Sequence, residues 1–489
     1  MKATTAEQGS TSGSAGPDAV EAVDASGAAG GVRTILKNRS FRLLWTGEGI
    51  SLIGDQLYLI ALPWLVLQLT GNAFAMGTVL ALAAIPRALF MLLGGALTDR
   101  FSPRTLMLGS NIARFALVAA LAALTIGGAV ELYMLYAFAL LFGLADAFFY
   151  PAQTAIVPQL VGKERLQTGN AIIQGTAQLS LFVGPALAGL LIAVLDGGGS
   201  GGSTPDMWGI GGAFALDAAS FVASIAALSL MRVRRGGAAE RVEDGAAEQG
   251  GRAVAPENGR CHEGVFSSIG EGLSVVWRDR VLRYYFLLIA AANFLITGPF
   301  SVGIPVLADT RYAGGAAAFG VVLSAFGAGS LAGVLLAGAT RRPLTRRFPA
   351  AMLGLTAFSG ISLVLLGLMP ALVPAAVVST LMGAAQGYVV IQFVTWLQLR
   401  TPERMLGRTM SMLMFAVVGL SPVSSTVAGA LIQFSATAVL IGAGVLMAMV
   451  VAVGALSPSV WRLGDEPECG AEVESGIAGA PVEVLEQAA

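Results

Sequence analysis

Twelve stretches of mostly apolar residues, each about 20 long or longer, fill most of this chain, and no soluble core accommodates runs of that length and number. They cover approximately residues 43–68, 74–97, 105–127, 132–155, 168–194, 208–231, 282–306, 316–339, 349–369, 371–396, 409–431 and 434–457. In a bilayer the backbone finds no water to bond, so such stretches must satisfy their own N–H and C=O groups as helices. Composition points the same way. Hydrophobic residues make up 55% of the chain and charged residues 12%, which excludes a string of soluble domains. The predicted fold class is an all-α membrane protein with twelve transmembrane helices in two six-helix bundles.

The charges between the runs alternate. Even-numbered connections are basic: Arg100 and Arg104, then Lys163 and Arg165, then Arg232, Arg234 and Arg235, then Arg341, Arg342, Arg346 and Arg347, then Arg400, Arg404 and Arg408. Odd-numbered connections are nearly free of Lys and Arg, with Arg311 the exception. The positive-inside rule then places the even connections and both termini in the cytoplasm of a multi-pass cell-membrane protein. One missed run would scramble the alternation, so it checks the count.

Five segments follow from composition. Residues 1–32 are rich in Gly, Ser, Ala and acid, without the apolar core of a signal peptide, and are expected to be a disordered cytoplasmic tail. Residues 33–231 form a first bundle, 232–281 a polar cytoplasmic central loop, 282–457 a second bundle and 458–489 an acidic cytoplasmic tail. The halves repeat weakly. Lys163-Glu164-Arg165 precedes the fifth run with its Gly184, Pro185 and Gly189, and Pro402-Glu403-Arg404 precedes the eleventh with Pro422. Such duplication suits two units rocking about a midplane site. Gly184, Pro185, Gly189 and Pro422 are the expected helix-bending residues.

The turn Gly94-Gly95-Ala96-Leu97-Thr98-Asp99-Arg100-Phe101-Ser102-Pro103-Arg104 joins runs two and three. It resembles the G-x-L-A-D-R-x-G-R-K loop of the major facilitator superfamily, with Thr98, Ser102 and Pro103 departing from that pattern. Asn38-Arg39-Ser40-Phe41-Arg42-Leu43-Leu44-Trp45, Gly54-Asp55, Ala61-Leu62-Pro63-Trp64 and Ile85-Pro86-Arg87 narrow the resemblance to the macrolide-efflux and enterobactin-exporter branch of drug:proton antiporters. The resemblance implies alternating access and makes Gly95, Asp99, Arg100 and Arg104 a gating motif. It also implies that Asp99 docks at the N-terminus of span eleven while the cytoplasmic side is closed, where helix N–H groups stabilise a carboxylate. The fourth run lacks the Arg of the R-x-x-Q-G motif found in other drug antiporters. The fifth carries Gly184-Pro185-Ala186-Leu187-Ala188-Gly189, a partial match to the antiporter pattern ending G-P-x-x-G-G.

An ionised side chain at the centre of a membrane helix costs about 2.5–3.5 kcal/mol, so each one needs a reason. Glu48 and Asp55 lie two turns apart on run one, with Arg87 on run two, Arg114 on run three, Asp146 on run four and Asp217 on run six. Asp55 and Arg87 count out near the same depth. They are expected either to pair or to make Asp55 a protonatable group tuned by Arg87, the alternative being a purely structural ion pair. Glu48, Asp55 and Arg87 are the proton-coupling candidates. Arg114 and Asp146 form a supporting charge network, Asp146 pairing with Arg114 or with Arg104. Asp217, on a span peripheral in the family, is expected to serve packing or to snorkel. The second half offers no clear intramembrane acid; Asn293, Thr297, Gln386 and Gln392 are its substrate-cavity candidates.

The function these features favour is secondary active efflux of amphipathic, drug-like small molecules, exchanged for protons. A dedicated exporter of one metabolite, an importer, and a non-transporting receptor or enzyme on the same fold are the alternatives. No nucleotide-binding G-x-x-x-x-G-K-[S/T] sequence occurs, so ATP is not expected to drive it. No cofactor, metal site or nucleic-acid partner is expected, and the lipid bilayer is the constant one.

Overall fold

A computed structural model describes residues 33–98, 102–162, 165–195, 207–231, 277, 280–339, 348–401, 409–410, 412–413, 415–456 and 461. Among these residues there is helix and no strand. In chain order the helices are α1 (Arg39–Thr70), α2 (Ala73–Thr98), α3 (Pro103–Ile126), α4 (Leu132–Val161), α5 (Leu166–Leu195) and α6 (Trp208–Leu230). Then come α7, in the pieces Arg280–Ala292, Asn293–Thr297 and Gly298–Thr310, α8 (Gly315–Ala339), α9 (Phe348–Leu368) and α10 (Leu372–Arg400). The last are α11, in the pieces Phe415–Gly419 and Ser421–Ile432, and α12 (Ala436–Ala455). Eleven are long and apolar enough to cross a membrane; Ala416–Ile432 of α11 is the shorter one.

Each predicted run coincides with one of these helices over most of its length, and the ends follow local chemistry. Asn38 caps α1 by accepting from the backbone N–H of Ser40 and Phe41, and its own amide donates to the Leu160 carbonyl at 2.7 Å, tying the start of α1 to the end of α4. Ser102 caps α3 with Pro103 in the first turn, where a missing N–H costs nothing. Apart from Trp277, Arg280, Val281 and Trp461, the central loop and both tails lie outside the described residues.

Packing repeats between the halves. α2 lies on α4 as α8 lies on α10, and α3 lies on α6 as α9 lies on α12. The halves meet along two seams, α5 against α8 and α2 against α11. Both seams depend on glycine. A side chain at Gly189 of α5 would run into the Ala316 carbonyl and Gly320 Cα of α8, and one at Gly77 of α2 into the Ser425 carbonyl of α11. Backbones this close gain van der Waals contact that larger residues forbid. Ser324 of α8 adds a hydroxyl that accepts from the Ala186 N–H at 2.7 Å.

These seams sit toward the end carrying the odd-numbered connections. There Gln68 donates to Asp309 at 2.9 Å, and Trp64 packs on Gly315. That end is closed between the halves. Arg311, the exception to the charge alternation, caps helix ends there. It donates to the Gly367 and Met369 carbonyls at the end of α9 and to the Thr437 hydroxyl of α12.

α7 and α11 are interrupted where they touch. Residues 293–297 and 415–419 take π-helical turns. The Ser424 hydroxyl inserts into the ladder of α7, accepting from Gly298 N–H at 2.9 Å and donating to the Phe294 carbonyl at 2.5 Å. A hydroxyl bridging an opened i→i−4 bond accounts for the break. Pro422 stands in the first turn of the second piece of α11, whereas α5 stays helical through Pro185.

Candidate functional site

Glu48, Asp55, Arg87, Arg114 and Asp146 converge on one cavity of about 700 Å³. α1 contributes Glu48, Ser51 and Asp55; α2 contributes Arg87; α3 contributes Arg114. From α4 come Asp146, Phe149 and Gln153, from α5 Asn170, Ile173 and Gln174, and from α11 Val418. The spacings explain the convergence: Glu48 and Asp55, and Asp146 and Gln153, are two turns apart on their helices, and Asn170 and Gln174 one turn. Leu166, at the start of α5, and Pro158, near the end of α4, also line it. The cavity therefore reaches toward the end with the basic connections, opposite the closed glycine seams.

Arg114 organises the charges. Its side chain is 2% exposed. Nη1 lies 3.1 Å from Asp146 Oδ1 and 3.7 Å from Asp55 Oδ1. Nη2 donates to Asn111 Oδ1 at 2.6 Å, and the Asn111 amide donates to Ser224 Oγ on α6 at 2.9 Å. The guanidinium also sits 4.2 Å from the ring centre of Phe149 and 4.8 Å from that of Phe221. A planar cation with several fixed donors and two aromatic faces suits arginine and not lysine. Asp146 uses both oxygens, the second taking Arg87 Nη2 at 2.5 Å. Glu48 is buried, and its carboxylate accepts from the Gln153 amide; among the described residues no cation pairs with it.

Several expectations change. Asp55 does not pair with Arg87. α2 packs on α4, so Arg87 meets Asp146, and Asp55 faces Arg114 instead. Arg114 and Asp146 do pair, and Arg104 goes elsewhere: it donates to the Leu228 and Ser229 carbonyls at the C-terminal end of α6. Asn293 and Thr297 do not line this cavity; their polar groups serve the π turn of α7, Asn293 donating to the Ile289 carbonyl and Thr297 to Asn293. Gln392 is buried, donating to the Ala337 carbonyl of α8, and Gln386 is half-buried; neither lines this cavity. Asp217 does not snorkel, because it is fully buried. Gly184 packs on Gln56 of α1. Asp99 and Arg100 of the gating motif lie outside the described residues, and Gly95 falls in α2, where side chains are not described.

Gln153, Asn170 and Gln174 were missed as site residues. Their signal was present: neutral polar groups at whole-turn spacings on α4 and α5, the first in register with Asp146.

The sequence model of the Major Facilitator Superfamily matches residues 44–426, most of the chain. The chain belongs to the major facilitator superfamily. It is thus a multi-pass membrane transporter and not an enzyme. Among relatives of this facilitator, the multidrug efflux pump Tap of Mycolicibacterium fortuitum is 27% identical over 384 residues, 77% of this chain and 85% of the relative. The macrolide efflux protein A of Streptococcus pyogenes is 23% identical over 333 residues, 68% of this chain and 73% of the relative. Both agree with the drug-efflux branch to which the motifs pointed. A crystal structure of a POT family transporter in complex with 5-aminolevulinic acid superposes with a TM-score of 0.62 at 12% identity, covering 86% of this facilitator and 97% of that chain. The likeness extends to the fold.

Proposed function

We propose that this facilitator exports amphipathic small molecules in exchange for protons, by alternating access. The observation that carries the reading is the cavity itself. Its walls mix Leu52, Phe149, Ile173 and Val418 with the carboxylates of Glu48 and Asp55. Apolar walls with a few convergent polar groups suit drug-sized amphiphiles. Glu48 faces this space without a cationic partner among the described residues, and Asp55 is held only loosely by Arg114, at 3.7 Å. These are the acids that a substrate or a proton can neutralise.

In this reading residues 33–231 and 282–457 are the two moving units, and the basic end faces the cytoplasm. The cavity then accepts substrate from the cell interior while the glycine seams close the outer end. Rocking opens the seams and closes the basic end. Asp99, Arg100 and Arg104 form a latch at that end, and the bond from Arg104 to the end of α6 fixes one side of it. Export in place of import is supported by the names of the relatives, a multidrug efflux pump and a macrolide efflux protein.

Purified protein in proteoliposomes tests this with a radiolabelled macrolide and an imposed pH gradient. For one proton exchanged per uncharged substrate, a gradient of about one unit supports about tenfold accumulation. Asp55→Asn is expected to abolish gradient-driven accumulation while leaving downhill flux. Glu48→Gln is expected to weaken macrolide binding. Wild-type accumulation indifferent to the gradient, or an unaltered Asp55→Asn protein, would overturn the assignment.

A further inference from the structure

Behind α1, away from the cavity, lies a further acid. Asp217 of α6 is fully buried. One carboxylate oxygen has the Ser220 hydroxyl 3.4 Å away, and that hydroxyl donates its better bond, 2.7 Å, to the Asp217 backbone carbonyl. The other oxygen has no hydrogen-bond partner among the described residues. The ion pairs among the described residues involve Arg87 and Arg114, and neither pairs with Asp217.

The place is built for this side chain. Gly54 of α1 faces it, and a Cβ at Gly54 would lie 2.6 Å from Asp217 Oδ1 and 2.7 Å from Ser220 Cβ. Gly54 and Tyr58 are one turn apart on α1, and Tyr58 packs on Phe214, one turn before Asp217, with ring centres 5.9 Å apart. The Tyr58 hydroxyl is also buried without a partner. The charged groups within electrostatic reach are Asp55, next in sequence to Gly54, and Arg114 of α3. Arg114 is already shared between Asp55, Asp146 and Asn111.

Charge counting sharpens the point. The first-half core holds the acids Glu48, Asp55, Asp146 and Asp217 against the cations Arg87 and Arg114. Arg87 and Arg114 are spent on Asp146 and Asp55. Glu48 borders the cavity and has an amide donor, whereas Asp217 does not border it and has neither cation nor amide among the described residues. An ionised carboxylate buried without a partner is among the costliest things a protein core can hold, and it neutralises instead.

We propose that Asp217 is a proton-holding residue set apart from the substrate cavity, so that proton and substrate occupy different carboxylates. This rests on the proton-coupled export reading above. In the exchange step the O–H bond of the protonated Asp217 breaks, the proton joins the Asp55 carboxylate and leaves from there through the cavity, and Arg114 lies within electrostatic reach of the carboxylate left on Asp217. Substrate then takes its place at the cavity acids, and the loaded carrier crosses without the proton.

Infrared spectra of the full-length protein at neutral pH test the proposal without any substrate. The carbonyl band of a protonated carboxylic acid is expected in the wild type and in Asp55→Asn, and weakened or lost in Asp217→Asn. Because Asn mimics the neutral acid, Asp217→Asn is expected to melt with the wild type. An unchanged band, or a protein that melts early or fails to fold, would show that Asp217 is ionised and structural. In proteoliposomes Asp217→Asn is expected to keep macrolide binding and downhill exchange but to lose the roughly tenfold accumulation that about one pH unit supports. Should the wild type itself prove uncoupled, the coupling reading falls while the infrared and melting results still decide where the proton sits.

Discussion

Arg114→Met is expected to destabilise the folded transporter more than any other single substitution at the site, by about 3–5 kcal/mol, the usual cost of stranding a buried charge. The guanidinium holds Asp146 and Asp55, satisfies Asn111 and packs between Phe149 and Phe221. Its loss leaves Asp55 without an ion-pair partner among the described residues and Asp146 with Arg87 alone. Asn111 loses a bond as well, which loosens α3 from α6, where Asn111 meets Ser224. Arg114→Lys is expected to recover little, since an ammonium cannot serve two carboxylates and an amide from one plane or stack on two rings. Thermal melting in detergent, followed by size-exclusion fluorescence, measures both variants. The double variant Arg114→Met with Asp55→Asn is expected to be more stable than Arg114→Met alone, because it removes a stranded charge. A double variant no better than the single would mean that packing, and not charge, is what Arg114 supplies.

Gly189→Leu is expected to abolish transport with the protein still inserted. The side chain cannot enter the α5–α8 seam while Ala316 and Gly320 lie against it. The closed arrangement of the end with the odd-numbered connections is then lost, and the units rest with that end open. Transport falls to background even though Gly189 does not line the cavity. A thiol reagent that cannot cross the bilayer, applied to a cysteine placed at Ser324 of α8, reports the change. Ser324 is buried in the seam in the present state. Labelling is expected to be fast in Gly189→Leu and slow with Gly189 intact. Equal labelling with wild-type flux would show that the seam does not move.

The lengths and order of the helices were legible because hydropathy counts backbone that lipid must cover. Their ends were less so. α4 runs to Val161, beyond the predicted 155, and α10 to Arg400, beyond 396, since a helix continues past the apolar region while its hydrogen bonds are satisfied. The pairing of charges was legible in depth but not in direction. Counting residues puts Asp55 and Arg87 at similar height, yet says nothing of which neighbour each faces; α2 turns Arg87 toward α4. Asp217 was legible by cost alone: an acid within an apolar run has to face protein, whatever the usual position of its helix. The second-half candidates failed for another reason. Asn293, Thr297 and Gln392 are neutral donors that a helix can employ on its own or a neighbouring carbonyl, so their presence in a run does not imply a cavity.

Alternating access about the acid-lined cavity is tested most directly by spin-label distances in lipid nanodiscs. One pair of cysteines replaces Val194 and Ala313, exposed at the closed end on either side of the α5–α8 seam; a second replaces Gln159 and Gln398, exposed at the basic ends of α4 and α10. Changing pH and adding a macrolide are expected to lengthen the first distance as the second shortens, with both states resolved in each distribution. Two single, fixed distances under every combination of pH and substrate, in protein that transports, would contradict a rocking mechanism.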